Sequence, residues 1–264
     1  MNIDKYEAIG NDYLVGFDEK FSLSPNDIAK LCHRNFGIGA DGILYGTQIS
    51  NDVFNLTIYN SDGSIAEKSG NGVRIFAKYL LDHNIWTSGS IKIHTVSDVC
   101  ECINLGDKIG VNMGRPRYIS TEQFLKSVEN ISIGQYNLTL NCVSMGNPHC
   151  VIFLDEVSKD IACEFGPIIE KLPIFPQKTN VQFVKVINEN LYNAEIWERG
   201  SGYTLSSGSS SCGIFAIAQK LGLVNDKLTV QMPGGELNME MRPSGEIMQY
   251  GIANRIAKCE VFCV

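Results

Sequence analysis

Ser69-Gly70-Asn71-Gly72-Val73-Arg74-Ile75-Phe76-Ala77-Lys78-Tyr79-Leu80 and Ser207-Gly208-Ser209-Ser210-Ser211-Cys212-Gly213-Ile214-Phe215-Ala216-Ile217-Ala218 are two versions of one segment, the second far downstream of the first. In both, a serine followed by small residues opens a run whose apolar positions recur at helical spacing. Each predicts a core helix with a glycine- and serine-rich N-terminus, running to about His83 and Leu221. The match extends upstream. Strand-like Phe54–Tyr59 and Asn193–Trp197 precede the two segments, and Asn60 and Glu198 stand at the same offset as the two serines. Further up, Gly10-Asn11 and Gly146-Asn147 are separated by nearly that offset. Four markers in one order at nearly one spacing make an internal repeat. The fold class is α/β in two pseudo-symmetric domains, 1–115 and 116–264. Met113-Gly114-Arg115-Pro116-Arg117 breaks the pattern between them, and the last residues are candidates to return to the first domain.

Short alternating runs fill the rest. Ile91–His94, Val181–Val186 and Leu228–Met232 read as half-buried strands. Ser24-Pro25-Asn26-Asp27 opens a capped helix to Cys32, with Pro at its first position. The 264 residues are 44% hydrophobic and 19% charged, an ordinary globular balance that argues against disorder. A net charge of −7 and the lack of a basic stripe exclude a phosphate-tracking surface, so no nucleic-acid partner is expected. No run reaches the roughly 18 apolar residues of a membrane span, and Met1–Asp12 has no signal-peptide pattern. The nine cysteines are odd in number and form no disulfide framework, so a reducing, cytoplasmic setting with thiols is expected.

Gly37-Ile38-Gly39-Ala40-Asp41-Gly42 fits the dinucleotide fingerprint in letters only, because a helix precedes it and a strand follows. There is no Walker sequence, no HExxH and no paired CxxC, so no metal site is expected. Cys100-Glu101-Cys102 has the wrong spacing for a redox pair, and alternation turns both thiols to one strand face.

The two helix starts carry the chemistry. A helix N-terminus offers backbone N–H groups without internal partners and a positive dipole end, and small residues let an anion approach them. One such start is often only a capped turn. Two in pseudo-symmetric positions predict half-sites facing one carboxylate across a cleft. Asn11, Asn60, Asn147 and Asn180, each by itself a common turn residue, would with Glu198 and Arg199 line a pocket for a zwitterion. Arg forks onto a carboxylate, Glu takes an ammonium, and amides fill the remaining hydrogen bonds.

Several motifs now stand in order: Gly10-Asn11-Asp12-Tyr13, the Gly37–Gly42 run, Tyr59–Ser64, Ser69–Gly72, Gly146-Asn147-Pro148-His149, Asn180–Phe183, Trp197–Gly202 and Ser207–Ser209. The series resembles the diaminopimelate epimerase family over nearly the whole chain. The resemblance implies two α/β domains, each a curved, mostly antiparallel sheet wrapped around a central helix. It implies a homodimer acting on a small amino-acid substrate, with no cofactor, neither pyridoxal phosphate nor metal. It implies that Asn60, Asn147, Asn180, Glu198 and Arg199 grip one substrate end. The reacting carboxylate would rest on backbone N–H groups of Gly70, Asn71, Gly208 and Ser209, with Asn11 at the reacting centre and His149 in support.

Where the family has two cysteines, one for each face of the α-carbon, this chain has Ser69 and Ser207. Two bases suit inversion of a stereocentre, and a helix N-terminus lowers a thiol pKa from about 8.5. A serine hydroxyl is a far weaker acid and a poor unaided base. Three readings of the serines are open. They are replacements that hold a substrate complex, native groups with weaker chemistry, or the mark of a paralogue that binds an amino acid without turnover. The expected function is interconversion of LL- and meso-2,6-diaminopimelate. The alternatives are racemisation of another amino acid, such as histidine, and non-catalytic binding. Arg199 argues against a ligand with one carboxylate, which would leave it poorly paired. Tyr203 also departs from the family, which usually has an acidic residue there.

Overall fold

The computed structural model describes residues 2–17, 22–66, 69–118, 122–133 and 136–262. The chain divides into two compact units, residues 1–112 with 250–264, and residues 113–249.

In the first unit, β1 (Asn2–Ala8) pairs antiparallel with β2 (Asn11–Phe17). Helix α1 (Pro25–Cys32) then leads to β3 (Gly42–Ser50), which lies parallel to β2. Strand β4 (Val53–Asn60) returns antiparallel to β3 and carries the short β5 (Ile65–Ala66). After helix α2 (Gly70–Asp82), β6 (Ser90–His94) runs parallel to β4, and β7 (Val99–Asn104) and β8 (Ile109–Asn112) continue antiparallel.

The second unit follows the same plan. Strands β9 (Val128–Ile133), β10 (Tyr136–Ser144) and β11 (Pro148–Phe153) pair antiparallel in succession. Helix α3 (Lys159–Ile169) leads to β12 (Asn180–Asn188), parallel to β11. Strand β13 (Leu191–Glu198) returns antiparallel and carries the short β14 (Gly202–Thr204). After helix α4 (Gly208–Lys220), β15 (Lys227–Met232) runs parallel to β13, followed by antiparallel β16 (Gly235–Met241) and by β17 (Ile247–Gly251). The chain closes with β18 (Asn254–Glu260), which pairs antiparallel with β1 in the first unit. Every pairing from β1 to β7 has its counterpart from β10 to β16, so the sequence repeat is a repeat of topology.

Burial explains why the sheets wrap the helices. Helix α4 is buried without interruption from Ser210 to Ala218, and α2 from Gly70 to Ala77. A helix enclosed on all sides needs strands around it rather than a flat sheet on one face. Small polar residues at the first turns and apolar ones beyond let these helices sit in a core at all. Ser24 caps α1 with a full capping box and Pro25 at the first position, as its sequence predicts. Cys100 and Cys102 on β7 are both fully buried, as alternation requires. The eight described cysteines are thiols, and Cys263 lies outside the described residues. Among the described residues no helix is long and apolar enough to cross a membrane.

Candidate functional site

The first unit places Ser69 at the N-cap of α2. Its backbone is extended (φ −139°, ψ 116°) and its Oγ accepts the Gly72 N–H at 3.0 Å. This is the ordinary work of a capping serine, and it sets the hydroxyl at the N–H groups of the first turn. Gly70 and Asn71 follow, both buried. The Asn71 Oδ1 accepts from Arg74 Nη2 at 2.6 Å, and Arg74 Nε donates to the Ile252 carbonyl at 3.1 Å. Arg74 has no exposed surface, so a guanidinium stands inside the core just past the first turn of α2.

Asn11 opens β2 directly after Gly10, whose φ of 87° suits glycine. Its Nδ2 donates to Asp41 Oδ2 at 2.7 Å, and the Asp12 N–H donates to the same oxygen at 3.1 Å. Arg34 forks onto Asp12 at 2.8 and 3.2 Å and reaches Asp41 at 2.6 Å, while Lys5 lies 2.9 Å from Asp12. Burial pushes the Asp12 carboxyl upward, but the hydrogen bonds and charges of Arg34 and Lys5 outweigh it and hold it below the usual range. The Gly37–Gly42 motif therefore has a structural role, because its Asp41 ties Asn11 to a lattice of four charges. Asn60 ends β4 opposite Gly42, exposed, with its Nδ2 on Ser64 Oγ at 2.9 Å.

The second unit repeats the cap with a different setting. Ser207 (φ −148°, ψ 122°) caps α4 and its Oγ accepts the Ser210 N–H at 3.5 Å. Ser207 is 4% exposed, and Gly208 is buried. The Gly208 carbonyl accepts from Gln249 Nε2 at 2.7 Å, and Gln249 has no exposed surface. Beside the helix tip runs a chain of neutral groups. Gln182 Nε2 donates to Ser210 Oγ (3.0 Å) and lies 3.1 Å from His149 Nδ1. His149 Nε2 lies 2.8 Å from Asn147 Oδ1, and Asn147 Nδ2 donates to Ser209 Oγ at 3.4 Å.

His149 is fully buried, and its pKa falls to about 3 through burial and the nearby Arg199 charge. With Gln182 donating to Nδ1, the neutral ring carries its proton on Nε2 and donates it to Asn147. The imidazole orients Asn147; both ring nitrogens are committed, so it is no base for Ser207. Among the described residues no hydrogen bond joins either Ser69 Oγ or Ser207 Oγ to an imidazole or a carboxylate.

Asn180, 6% exposed, bridges two parts of the second unit. Its Nδ2 donates to the Pro148 carbonyl (2.9 Å) and its Oδ1 accepts the Arg199 N–H (3.0 Å). Arg199 is half-buried, with Nη1 3.3 Å from the Gln177 carbonyl, and Glu198 beside it is half-buried too. Tyr203 packs against the apolar cluster of this unit, donates its hydroxyl to Glu195 at 2.8 Å, and lies under the Lys159 ammonium. Among the described residues no group of three His, Cys, Asp or Glu side chains could hold a metal ion.

Each unit thus assembles its own share of the residues named from sequence. Asn11, Asn60, Ser69, Gly70 and Asn71 belong to the first, and Asn147, His149, Asn180, Glu198, Arg199, Ser207, Gly208 and Ser209 to the second. Sequence reasoning missed the residues that hold these in place: Asp41, Arg74, Glu170, Gln182 and Gln249. Only Gln182 left a usable trace, since Asn180 and Gln182 put two polar residues on one side of the buried first half of β12.

The family model described as diaminopimelate epimerase matches residues 4–119 and 141–256, one stretch in each half. Diaminopimelate epimerase 2 of Nostoc sp. is 42% identical, covering 99% of this chain and 95% of its own. Diaminopimelate epimerase of Halothermothrix orenii is 39% identical, covering 94% and 93%. Among solved structures, a hydroxyproline epimerase from Agrobacterium vitis with bound trans-4-hydroxy-L-proline superimposes with a TM-score of 0.70 at 11% identity, over 98% of this chain and 91% of its own. That likeness is one of fold.

Proposed function

This chain belongs to the diaminopimelate epimerase family, and from that premise we propose which of its groups perform the reaction. The reaction is interconversion of LL- and meso-2,6-diaminopimelate, a small amino acid, by an isomerase. It breaks the bond between the α-carbon and its hydrogen and restores it on the opposite face. That requires one proton-transfer group for each face and a means to hold the negative charge that develops on the carboxylate.

We propose Ser69 and Ser207 for the two proton-transfer positions. Both cap a helix whose first N–H groups are bare of internal partners, and they stand at equivalent places in the repeat. The N–H groups of Gly70, Asn71, Gly208 and Ser209 would receive the carboxylate, and the helix dipoles favour the charge as it grows. Asn11, fixed by Asp41, would steady the reacting centre. The far end of the substrate would meet Asn60, Asn147, Asn180, Glu198 and Arg199, with His149 keeping Asn147 in one orientation. We place the enzyme in the cytoplasm as a homodimer without pyridoxal phosphate or metal, on the strength of the family resemblance.

The observation that carries the assignment also bounds the rate. Both serines act as helix caps, and no base among the described residues activates them. An alkoxide is barely populated at neutral pH, so each hydroxyl gives a proton far more readily than it takes one. Turnover by this chain is therefore expected to be slow and binding intact. Calorimetry with meso-diaminopimelate should detect a complex, and incubation of LL-diaminopimelate in D2O should give slow deuteration at one α-carbon. Absence of any complex overturns the functional reading. A complex without exchange removes catalysis from it and leaves a binding protein.

A further inference from the structure

We infer that Glu170 is a positioning residue that sets the Glu198–Arg199 turn and, through it, the reading of the substrate's second carboxylate. The inference rests on the proposed function for the identity of that carboxylate and on the geometry of the second unit for everything else.

Glu170 caps the C-terminal end of α3 and is 4% exposed, one of the few buried carboxylates among the described residues. Each of its oxygens is spoken for. The Trp197 indole Nε1–H donates to Oε2 at 2.8 Å, and the Gly200 N–H donates to Oε1 at 3.3 Å. The Lys178 ammonium stands 3.7 Å from Oε1. Trp197 and Gly200 bracket Glu198 and Arg199, so one carboxylate holds both ends of the turn that carries the two charged groups. Its neighbour Gly166, one helical turn earlier, makes room for the same indole: a Cβ there would stand 2.5 Å from Trp197 Cγ. The turn is then locked from its other side by Asn180 on the Arg199 N–H and by the Gln177 carbonyl on the guanidinium. Helix α3, otherwise remote from the chemistry, is the base on which the turn sits.

A buried carboxylate costs desolvation unless donors surround it, and here all the donors belong to the turn or to the loop that leads into β12. Plain packing would be served by an apolar side chain. Acceptance of N–H groups from both sides of Arg199 fixes instead where a guanidinium can point, and a fork onto carboxylate is lost with small displacements.

E170Q keeps the volume but turns an N–H2 toward a donor. L-lysine is diaminopimelate without one carboxylate, so the ratio of the two affinities reads the grip on that carboxylate, Arg199 included. Calorimetry on the full chain should find that E170Q weakens meso-diaminopimelate about tenfold or more, the scale of one charged hydrogen bond, while L-lysine changes less than about twofold. The milder W197F, which removes the indole donor and part of the ring packed over Gly166, should lower the same ratio by about threefold. The inference is overturned if both ligands weaken in parallel in these variants, or if the ratio stays within about twofold of the unaltered chain in W197F, whatever the folding of E170Q. An unaltered chain that binds diaminopimelate no better than lysine brings down the functional reading, and this inference with it.

Discussion

The tips of α2 and α4 have the same backbone and different surroundings. Ser69 and Ser207 both cap in extended conformation, with φ −139° and ψ 116° at the first and φ −148° and ψ 122° at the second, and the helices they open have equal length. Around α2 the first unit places charge: Arg74 inside the core, and elsewhere in the unit the Lys5, Asp12, Arg34 and Asp41 lattice that holds Asn11. Behind α4 it places neutral amides and an imidazole, namely Gln249, Gln182, His149 and Asn147. The repeat preserved what packing demands, a small-residue helix start inside a wrapped sheet. It let the side chains around that start diverge. The second unit took the anchoring of the turn at 198–200 as well, whereas its counterpart at Asn60 ends in a simple exposed turn.

The largest consequence of that difference should appear at Arg74 and at Cys212, which holds the equivalent place in the second copy of the repeat. R74M removes the donor that reaches the Asn71 and Ile252 oxygens inside the core and should lower stability by about 3 kcal/mol. C212A removes one buried sulfur and should lower it by about 1 kcal/mol. Urea midpoints of the two variants test this, and equal losses would erase the contrast between the tips.

Acid should separate the two surroundings as well. His149 has a folded pKa of about 3 against an ordinary value of 6.5. The unfolded chain takes up this proton first, so stability contributed by the neutral ring is full above about pH 6.5 and declines below it, by at most about 1.4 kcal/mol per pH unit. Asp12 has its folded pKa below the ordinary carboxylate value of 3.8, so its contribution is full above that value and fades only at lower pH. Melting between pH 7 and pH 5 should therefore respond to H149Q by flattening, and stay unchanged in slope for D12N. A D12N slope that flattens over that range would contradict the assignment.

The grip of α3 on its turn gives a third contrast. G166A drives a Cβ into Trp197 and should cost about 2 kcal/mol, with weaker meso-diaminopimelate binding, since overpacking displaces the turn that carries Arg199. G89A, at a turn position in the first unit with nothing within 4 Å of a new Cβ, meets only backbone strain and should leave that binding unchanged. The smallest effect is expected at the caps. S69C or S207C replaces a good N-cap by a poor one and should each lower stability by about 1 kcal/mol, read as a shift in thermal midpoint.

The parts legible in the sequence were those set by near neighbours. The caps at Ser24, Ser69 and Ser207, the two core helices and the alternating strands depend on residues within a turn or two of each other. The repeat offset then carried the topology, because equal spacing between markers needs equal elements between them. The supporting networks were not legible. Asn11 meets Asp41 across 30 residues, and Gln182 meets His149 across 33, each through a parallel strand pairing joined by a helix. Parallel pairing leaves no local register signal, so nothing near Gly37–Gly42 shows that its aspartate serves Asn11. Glu170 reads as one more surface glutamate at a helix end until the indole of Trp197 is brought against it.

Placing thiols at both caps bears most directly on the central claim that residues 69 and 207 are the two proton-transfer groups. The S69C/S207C variant, incubated with LL-diaminopimelate in D2O and followed by NMR, should deuterate the α-carbon at least about a hundredfold faster than the unaltered chain, with meso product accumulating. A double variant that is folded, binds diaminopimelate and deuterates no faster than its parent would contradict it.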